Sequence, residues 1–318
     1  MNKKIVYSFV IPHHNTPDLL LRLIDSIPQR EDIEIIVVDD NSDEGKKANI
    51  TRSDVRTIYI DKEHTKGAGR ARNVGIDAAI GKWLLFADAD DFYKPNIIEV
   101  LDEYKDDDIE ILYFNIDSVD SDTLQKGNKD RSLSFNRYCD RFDGSEERAN
   151  DLRFFNMGPW NKMVRSSYVK KYGFRFEEVP ISNDSFFSIQ IGYFVKHFKV
   201  DKRKLYVLTL KPGSITNSVV TKEKYSTSLL MYRRRAKLFN YIGHPEWNKK
   251  SIRGFRSQSC AKYLYRLYKT QPINICIRAF FYYITHSLAI EKNSNYYVDV
   301  IREMKKNGEM SILSTTDV

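Results

Sequence analysis

The segment Lys82–Pro95, KWLLFADADDFYKP, joins an apolar run to three closely spaced aspartates. The run Trp83–Ala87 has the length and composition of a buried strand. Three neighbouring carboxylates repel one another and are costly to bury without a counter-charge. Residues two apart on an extended segment point to the same side, so Asp88 and Asp90 can face one ligand while Asp91 turns away.

Paired carboxylates of this kind suit a hard divalent cation. Such a cation is often held by one or two carboxylates and shares its other positions with substrate phosphates. We therefore expect a metal, Mn²⁺ or Mg²⁺, at Asp88 and Asp90. The alternative is a solvated loop, or an acid-rich helix start before Pro95.

Apolar runs alternate with helical patterns along the first half of the chain. Strands are predicted at Val6–Ile11, Ile33–Val38, Val55–Ile60, Trp83–Ala87 and Ile109–Ile116, and helices after Thr16-Pro17 and at Ala68–Ile80 and Pro95–Tyr104. This alternation predicts an α/β fold with a parallel or mostly parallel sheet and helices on both faces. Ligands of such sheets bind beyond the carboxyl ends of the strands, where His13-His14-Asn15, Asp39-Asp40 and Asp88/Asp90 stand.

The second half of the chain is less regular. Residues 117–150 are polar and poor in strand patterns, which predicts a surface excursion. A short helix is expected near Ser166–Tyr172, a longer one at Ser185–His197 and a strand at Lys204–Leu210. The KPGSIT stretch at residues 211–216 predicts a turn, or a loop that covers a bound donor, and basic helices follow from Thr221.

Composition limits the class of protein. The chain has 318 residues, 42% of them hydrophobic, which is enough for a packed core. Its three cysteines are far apart and form no CxxC motif, which favours a reducing compartment over a disulfide framework or a structural zinc site. Neither a signal peptide nor a run of about 20 apolar residues is recognisable, so a cytoplasmic location is expected.

Charge is distributed unevenly. Residues 201–318 hold 22 Lys and Arg against 8 Asp and Glu, whereas residues 1–200 hold 29 against 35. The basic region also carries the aromatic runs YLYRLY and FFYYI, which favours peripheral contact with an anionic membrane surface. The alternative is a solvated helical bundle with a tyrosine-rich core. No nucleic-acid recognition motif accompanies the charge, so no nucleic acid is expected as a partner.

Two weaker clusters accompany the aspartates. Asp40, just past a strand, can accept a hydrogen bond from a base N–H or a sugar hydroxyl, although Asp-Asn-Ser also favours an ordinary turn. In KGAGRARN, Gly67 allows close approach of the backbone, and Arg70 and Arg72 can bring cations to a phosphate. The alternative is that the arginines coat an exposed helix face.

Four motifs in order, VIPHHN, VVDDNSDE, GRARNVGI and FADADDFYKP, resemble those of the family 2 glycosyltransferases. Downstream, GPWNKMVRSSYV and GFRFEEVPISND resemble bacterial members that build capsule, O-antigen or exopolysaccharide. The resemblance covers roughly residues 5–217. It implies the GT-A fold, a Rossmann-like mostly parallel sheet flanked by helices, here followed by a C-terminal basic helical region.

The resemblance also implies an activity. The implied activity is that of an inverting, metal-dependent glycosyltransferase of the hexosyltransferase type. The donor is a nucleotide-sugar, with UDP the commonest expectation, and the acceptor is a hydroxyl of a saccharide or a lipid-linked saccharide. Carried over by position, the implied nucleotide-sugar contacts are Pro12, His14, Asn15, Asp40, Gly67, Arg72 and Asp88, the metal ligands are Asp90 and Asp88, and the catalytic base is Asp184.

This chain departs from the family pattern at three places. Asn41 stands where glycine is common, and asparagine tolerates left-handed backbone geometry. His13-His14 replaces an apolar-Tyr pair, so the contact that stacks on the base is expected to be an imidazole. Asn183 replaces the glutamate that usually precedes the catalytic aspartate. Trp160 and Lys162 are expected to line the acceptor cleft, the alternative for Trp160 being a core position in a short strand.

Competing functions remain open from the sequence. One is a metal-dependent nucleotidyltransferase or phosphatase with paired aspartates, although a phosphatase of the haloacid-dehalogenase type would carry its pair after the first strand. Another is a non-catalytic saccharide-binding or scaffold protein on the same fold. We expect residues 1–220 to form the transferase domain, with 1–116 as the nucleotide-sugar half and 117–220 as the acceptor half, and 221–318 to form the basic helical region.

Overall fold

The structure is a computed structural model that describes residues 4–61, 63, 67–127, 130–210, 222–248, 272–274, 276, 277, 281 and 294–313. The chain divides into two compact units, Met1–Val179 with Asn183–Ser214 and Pro180–Ser182 with Ile215–Val318. The expected domain boundary at residue 220 and the KPGSIT loop both lie outside the described residues, so both stay predictions.

The first unit contains eight strands and seven helices among its described residues. The strands are β1 (Tyr7–His13), β2 (Ile33–Asp40), β3 (Val55–Ile60), β4 (Trp83–Phe86), β5 (Phe92–Tyr93), β6 (Ile111–Asp120), β7 (Lys162–Arg165) and β8 (Phe198–Leu210). The helices are α1 (Pro17–Asp25), α2 (Ala68–Ala78), α3 (Ile97–Asp102), α4 (Ser132–Asp140), α5 (Glu146–Phe155), α6 (Ser166–Tyr172) and α7 (Asp184–Phe194).

All eight strands form one sheet in the order β3-β2-β1-β4-β7-β6-β8-β5. Strands β1 to β4 pair in parallel, β7 lies antiparallel between β4 and β6, β6 and β8 are parallel, and β5 closes the edge antiparallel to β8. Every residue of β1 is buried, as expected for a central parallel strand that is covered on both faces. The predicted mostly parallel α/β sheet is confirmed.

Helix α2 packs closely against β1. A Cβ added at Gly75 would lie 2.3 Å from Val10 Cγ1, so only glycine allows this approach. The close packing fixes where α2 begins, because the helix cannot slide along the strand beneath it. The first turn of α2 is therefore held at the carboxyl edge of the sheet.

The prediction that residues 117–150 form a strand-poor surface excursion is correct for the described residues of 121–150, which contain no strand and are mostly exposed or partly exposed, and wrong for residues 117–120. Strand β6 continues to Asp120, and α4 and α5 follow it. Asn136 on α4 is buried and makes two hydrogen bonds of 2.9 Å with the main chain of Ile116, one to its N–H and one to its carbonyl. The register between β6 and β8 shifts beside Ile116, so the polar α4 supplies partners at the point where the ladder is irregular.

The turn after β4 is held by β8. Asp91 is only 1% exposed, and its carboxylate accepts hydrogen bonds of 2.6 Å from the Tyr206 hydroxyl and from the Thr209 N–H. The Tyr206 hydroxyl in turn accepts a bond of 3.0 Å from the Asp88 N–H. Burial raises the pKa of Asp91 well above its usual range, and the negative charges of Asp90 and Asp88 add to this.

The main chain of the same turn is anchored at Asp90. Its carbonyl accepts hydrogen bonds from the Arg22 guanidinium at 2.5 Å and from the Thr209 hydroxyl at 2.7 Å. Arg22 belongs to α1 and Thr209 to β8, so hydrogen bonds from two elements hold the turn. Asp91 turns inward as predicted, whereas the side chains of Asp88 and Asp90 are partly exposed.

The second unit contains α8 (Lys222–Tyr241) and α9 (Tyr296–Leu313). These helices confirm that the basic C-terminal region is helical where it is described. The Arg234 guanidinium lies 4.5 Å from the ring centre of Tyr296, and that of Arg302 lies 5.0 Å from the ring centre of Tyr241. No helix in the described parts of the chain is long and apolar enough to cross a membrane.

We expect Tyr206→Phe to lower the free energy of unfolding by about 1–3 kcal/mol, because it leaves the buried Asp91 carboxylate with one partner fewer. Tyr113→Phe is the matched control, since Tyr113 is also fully buried but its hydroxyl has no hydrogen-bond partner within the described residues. Urea unfolding of both variants measures the difference. Equal losses in the two variants would show that the Tyr206–Asp91 bond contributes nothing to stability.

Candidate active site

The polar residues singled out in the sequence meet at one edge of the sheet. Strands β1, β2 and β4 are adjacent and parallel, so their carboxyl ends lie side by side. The N-termini of α2 and α7 reach the same region through Gly67 and Asn183. Hydrogen bonds connect the loops after β1 and β2 with α2, and α2 with the acidic turn and α7.

The loop after β1 is joined to the end of β2 by a buried His–Asp pair. His13 Nδ1 lies 2.7 Å from Asp39 Oδ2, and His13 Nε2 accepts a hydrogen bond of 3.2 Å from the Thr16 N–H. Because Nε2 accepts, the ring is neutral and carries its proton on Nδ1, which donates to Asp39. Burial alone would raise the pKa of Asp39, but hydrogen bonds from Ser42 and His13 outweigh it and lower the pKa.

Sequence reasoning missed the role of this pair. The signal that could have revealed the pair is that His13 and Asp39 lie at the ends of neighbouring strands, opposite each other in the parallel register. That register was not predictable from the motifs alone. The pair explains why a histidine is tolerated where an apolar residue is usual: its polar atoms are satisfied within the core.

The neighbouring His14 is exposed and fixed in place. Its Nδ1 donates to the Asp40 carbonyl at 2.9 Å, and its Nε2 accepts from the Asn15 side-chain amide at 3.2 Å. Asn15 has a positive φ of 57°, and its side-chain oxygen accepts from the Asp43 N–H at 2.8 Å. Asn41 also adopts the left-handed region, with a φ of 59°, as expected at a position where glycine is common. Pro12 is buried within β1, directly before the loop that His14 and Asn15 form.

Asp40 connects β2 to the start of α2. It is largely buried, and its Oδ2 accepts a hydrogen bond of 2.9 Å from the Gly67 N–H. Gly67 has a φ of 77° and directly precedes α2. Glycine is suited to this backbone conformation, and its N–H, one of the N-terminal donors that lack a partner within the helix, is satisfied by the Asp40 carboxylate.

Arg72 is the central cation of the site. It is buried on α2, ion-pairs with Asp88 and donates a hydrogen bond of 2.8 Å to the side-chain oxygen of Asn183. Its guanidinium also lies 5.3 Å from the ring centre of Phe176. Arg72 therefore joins the acidic turn after β4 to the residue that precedes α7. Arg70 instead points to Glu178, at 3.4 Å, on the more exposed side of the helix.

Asp184 is the first residue of α7 and is partly buried. Burial raises the pKa of the Asp184 carboxyl above its ordinary value. The positive charge of Arg72 acts against this rise, and the negative charge of Asp88 adds to it. Asp184 thus shares an electrostatic environment with the aspartate of the acidic turn.

The donor chemistry at the acidic turn fits a hard divalent cation. The side chain of Asp88 is 35% exposed and that of Asp90 is partly exposed, so both can present oxygen atoms to a ligand. Burial raises the pKa of Asp91, and the negative charges of Asp90 and Asp88 raise it further. Within the residues described, no cluster of three or more metal-binding side chains is found.

The structure corrects the expectation for Trp160 and Lys162. Trp160 is 5% exposed and lies parallel to Tyr206, with ring centres 5.5 Å apart. Lys162 is 1% exposed. Neither side chain is available to line an acceptor cleft, and Trp160 occupies the core position that was the alternative. The physical reason is the sheet order, since β7 is inserted between β4 and β6 and is covered on both faces.

Several bacterial proteins are similar in sequence. EpsH of Bacillus subtilis, which is named as a glycosyltransferase, is 24% identical over 72% of this chain and 67% of its own length. The glycosyltransferase GlyG of Streptococcus pneumoniae is 34% identical over 36% of this chain and 40% of its own. The succinoglycan biosynthesis protein ExoO of Rhizobium meliloti is 34% identical over 36% of this chain and 34% of its own. The matched region thus spans less than half of the latter two proteins.

The fold is also found in a solved structure. TarS 1–349 of S. aureus in complex with UDP-GlcNAc superposes with a TM-score of 0.56 at 17% identity, over 85% of this chain and 74% of TarS 1–349. The sequence profile of the family described as glycosyl transferase family 2 matches residues 8–173, which is more than half of the chain. The chain therefore belongs to glycosyl transferase family 2, and its mixed sheet with flanking helices is the GT-A fold.

Proposed function

We propose that this protein transfers a sugar from a nucleoside-diphosphate donor, a UDP-sugar, to a hydroxyl of a saccharide acceptor in surface polysaccharide synthesis. The observation that carries the proposal is Arg72, which bonds both to Asp88 and to Asn183 and so brings the donor-side aspartate close to Asp184. The UDP-GlcNAc complex of TarS supports the choice of donor, and the name of ExoO supports the class of product.

The loops after β1 and β2 would hold the nucleoside. The exposed ring of His14 is fixed through both nitrogens, so it can stack on a base with little loss of entropy. Asp40 and Asn15 would bind the ribose or the base edge. Gly67 and Arg72 would lie beside the diphosphate, because a helix N-terminus and a guanidinium both favour phosphate oxygens.

Asp88 and Asp90 would hold the divalent metal. When bound, the metal would neutralise negative charge on the departing diphosphate. Arg72 contributes a fixed positive charge in the same place, and its burial strengthens that contribution. The turn that carries both aspartates is anchored through Asp91, so the two carboxylates are preorganised before a ligand arrives.

Asp184 would act as general base. A sugar hydroxyl is a weak nucleophile, and a carboxylate that accepts its proton during attack lowers the barrier. The raised pKa of Asp184 makes it a stronger base than a solvent-exposed aspartate. Direct attack on the anomeric carbon, opposite the departing diphosphate, forms one bond as the other breaks and inverts the configuration there.

The second unit would bring the protein to anionic membrane lipids that carry the acceptor. Exposed cations of α9 include Arg302 and Lys306, and α8 contains the run Arg233-Arg234-Arg235. Clustered Lys and Arg side chains are attracted to anionic lipid headgroups. Part of the basic region lies outside the described residues, so the proposal rests on the sequence count together with these helices.

We expect Asp184→Asn to reduce transfer by about 10²–10⁴-fold, because asparagine cannot accept the proton. Melting temperature and donor binding should stay close to the wild-type values, since asparagine retains the shape of aspartate. Asp18→Asn is the matched control, because Asp18 also lies in the first turn of a helix, α1, but is exposed. Full transfer by folded Asp184→Asn would assign the base to another group.

We expect Asp90→Asn to weaken metal-dependent binding of UDP by about tenfold or more, because removing a metal ligand or its support typically costs 10–100-fold in affinity. Calorimetry with Mn²⁺ or Mg²⁺, and with chelator, measures the effect. Asp106→Asn is the control, since its side chain is 85% exposed and lies outside the site. Unchanged metal-dependent binding by Asp90→Asn would remove Asp90 from the metal site.

We expect the protein to float with vesicles that contain anionic phospholipid at low salt and to detach at high salt, because such attraction is screened. Replacing Arg302 and Lys306 by glutamine should reduce binding. Replacing Lys126 and Lys199, whose side chains are 65% and 52% exposed on the first unit, should not. Binding that is equal for neutral and anionic vesicles, or absent, would leave the basic helices with a structural role only.

A further inference from the structure

Lys162 is a buried lysine that forms no ion pair with a carboxylate among the described residues. It lies on β7, is 1% exposed, and places its ammonium 5.5 Å from the ring centre of Tyr113. Burying an ammonium group is costly unless its three N–H groups find acceptors. The acceptors are the Asn156 carbonyl at 2.9 Å, the Asn161 side-chain oxygen at 3.1 Å and the Gly158 carbonyl.

All three acceptors belong to the segment that immediately precedes Lys162. We call residues Asn156–Lys162 the bracing segment. Its two asparagines are also joined, since the Asn161 side-chain N–H donates to the Asn156 side-chain oxygen at 3.0 Å. A Cβ added at Gly158 would lie 2.9 Å from the ring of Trp160, so the segment folds tightly around that indole. The Lys162 ammonium therefore stabilises the conformation of the bracing segment through its three hydrogen bonds.

One contact of the bracing segment leads to α7. The Ser188 hydroxyl donates a hydrogen bond of 2.7 Å to the Met157 carbonyl. Ser188 follows Asp184 by four residues, about one turn, on the same helix. The carbonyl of Met157 thus helps to fix the first turns of α7, and with them the direction of Asp184.

Another contact leads to the acidic turn. Trp160 lies flat on Tyr206, with an angle of 2° between the rings, and the Tyr206 hydroxyl bonds to Asp91 and to the Asp88 N–H. The bracing segment is therefore in contact with the support of the metal aspartates on one side and with the helix of Asp184 on the other. A change in its shape would alter the distance between the two.

We propose that Lys162 is a positioning residue for the transfer reaction: its ammonium fixes the bracing segment, which in turn sets Asp184 relative to the acidic turn. The proposal rests on the proposed function and assigns Lys162 no contact with substrate. Burial lowers the pKa of Lys162 to about 7, whereas the neighbouring Cys139 and Asp184 act in the opposite direction. The three acceptors, one for each N–H of the ammonium, suit its charged form.

Lys162→Met tests the proposal, because methionine keeps much of the side-chain length and loses all three donors. We expect kcat for transfer to fall by about 10–10²-fold, since small misplacement of a reacting group has effects of this size. Donor binding, measured by calorimetry with UDP and metal, should change by less than about threefold, because the hydrogen bonds of the bracing segment among the described residues go to its own members, to β6 and to α7, not to the β1 and β2 loops. A purely structural role would lower stability without this split between kcat and donor affinity.

Ser188→Ala keeps the proposal testable if Lys162→Met does not fold. It removes the tie between the bracing segment and α7 and leaves the ammonium intact, so kcat should also fall with donor binding retained. In the double variant the two losses should not add, because both act through the same segment. Ser166→Ala is the matched control: Ser166 is also buried and donates to a main-chain carbonyl, that of Gly81 at 2.5 Å, but lies on α6.

The proposal is overturned if either folded variant keeps the wild-type kcat, or if the two losses add fully. These results differ from a failure of the proposed function itself. In that case the wild-type protein would transfer no sugar from any of a panel of nucleotide-sugars, and Asp184→Asn would behave like the wild type. Wild-type transfer that is lost in Asp184→Asn but kept in Lys162→Met would reject the role of Lys162 alone.

Discussion

Burial of the Asp91 carboxylate between β4 and β8 is the constraint on which the site depends. A carboxylate in the core is tolerated only with strong donors, and Tyr206 and Thr209 of β8 supply them. Because Asp91 is held inward and its N–H donates a hydrogen bond of 3.0 Å to the Asp88 carbonyl, the turn leaves the side chains of Asp88 and Asp90 partly exposed. A single buried acid thus fixes the turn that carries the two acids proposed to hold the metal.

The remaining charges of the site are organised around Arg72. It bonds to Asp88 on one side and to Asn183 on the other, so a buried guanidinium spans the donor half and the start of α7. Asn183 is neutral, so it accepts the hydrogen bond from Arg72 without adding a negative charge. In the proposed function, the guanidinium is then available both to Asp88 and to the phosphates of a donor.

Lys162 and His13 show how the interior carries polar groups. Each is almost completely buried, and each has hydrogen-bond partners at its nitrogen atoms. His13 directly precedes the exposed His14, and the segment bonded to Lys162 is joined to α7 through Met157 and Ser188. Buried polar networks with all members satisfied make a segment rigid, which is the property that a preorganised site requires.

The sequence by itself determined the strands β1 to β4, the helices between them, the family and the residues expected at the ligand, because periodicity and short ordered motifs are local. It also predicted that Asp91 turns away from Asp88 and Asp90. Only the tertiary structure decided the partners: Arg72 meets Asn183 across 111 positions, and Tyr206 meets Asp91 across 115. Such contacts follow from the sheet order, in which β7 lies between β4 and β6. Lys162 on β7 and the nearby Trp160 are buried there. Both are therefore core residues, although their local sequence pattern is equally compatible with a cleft.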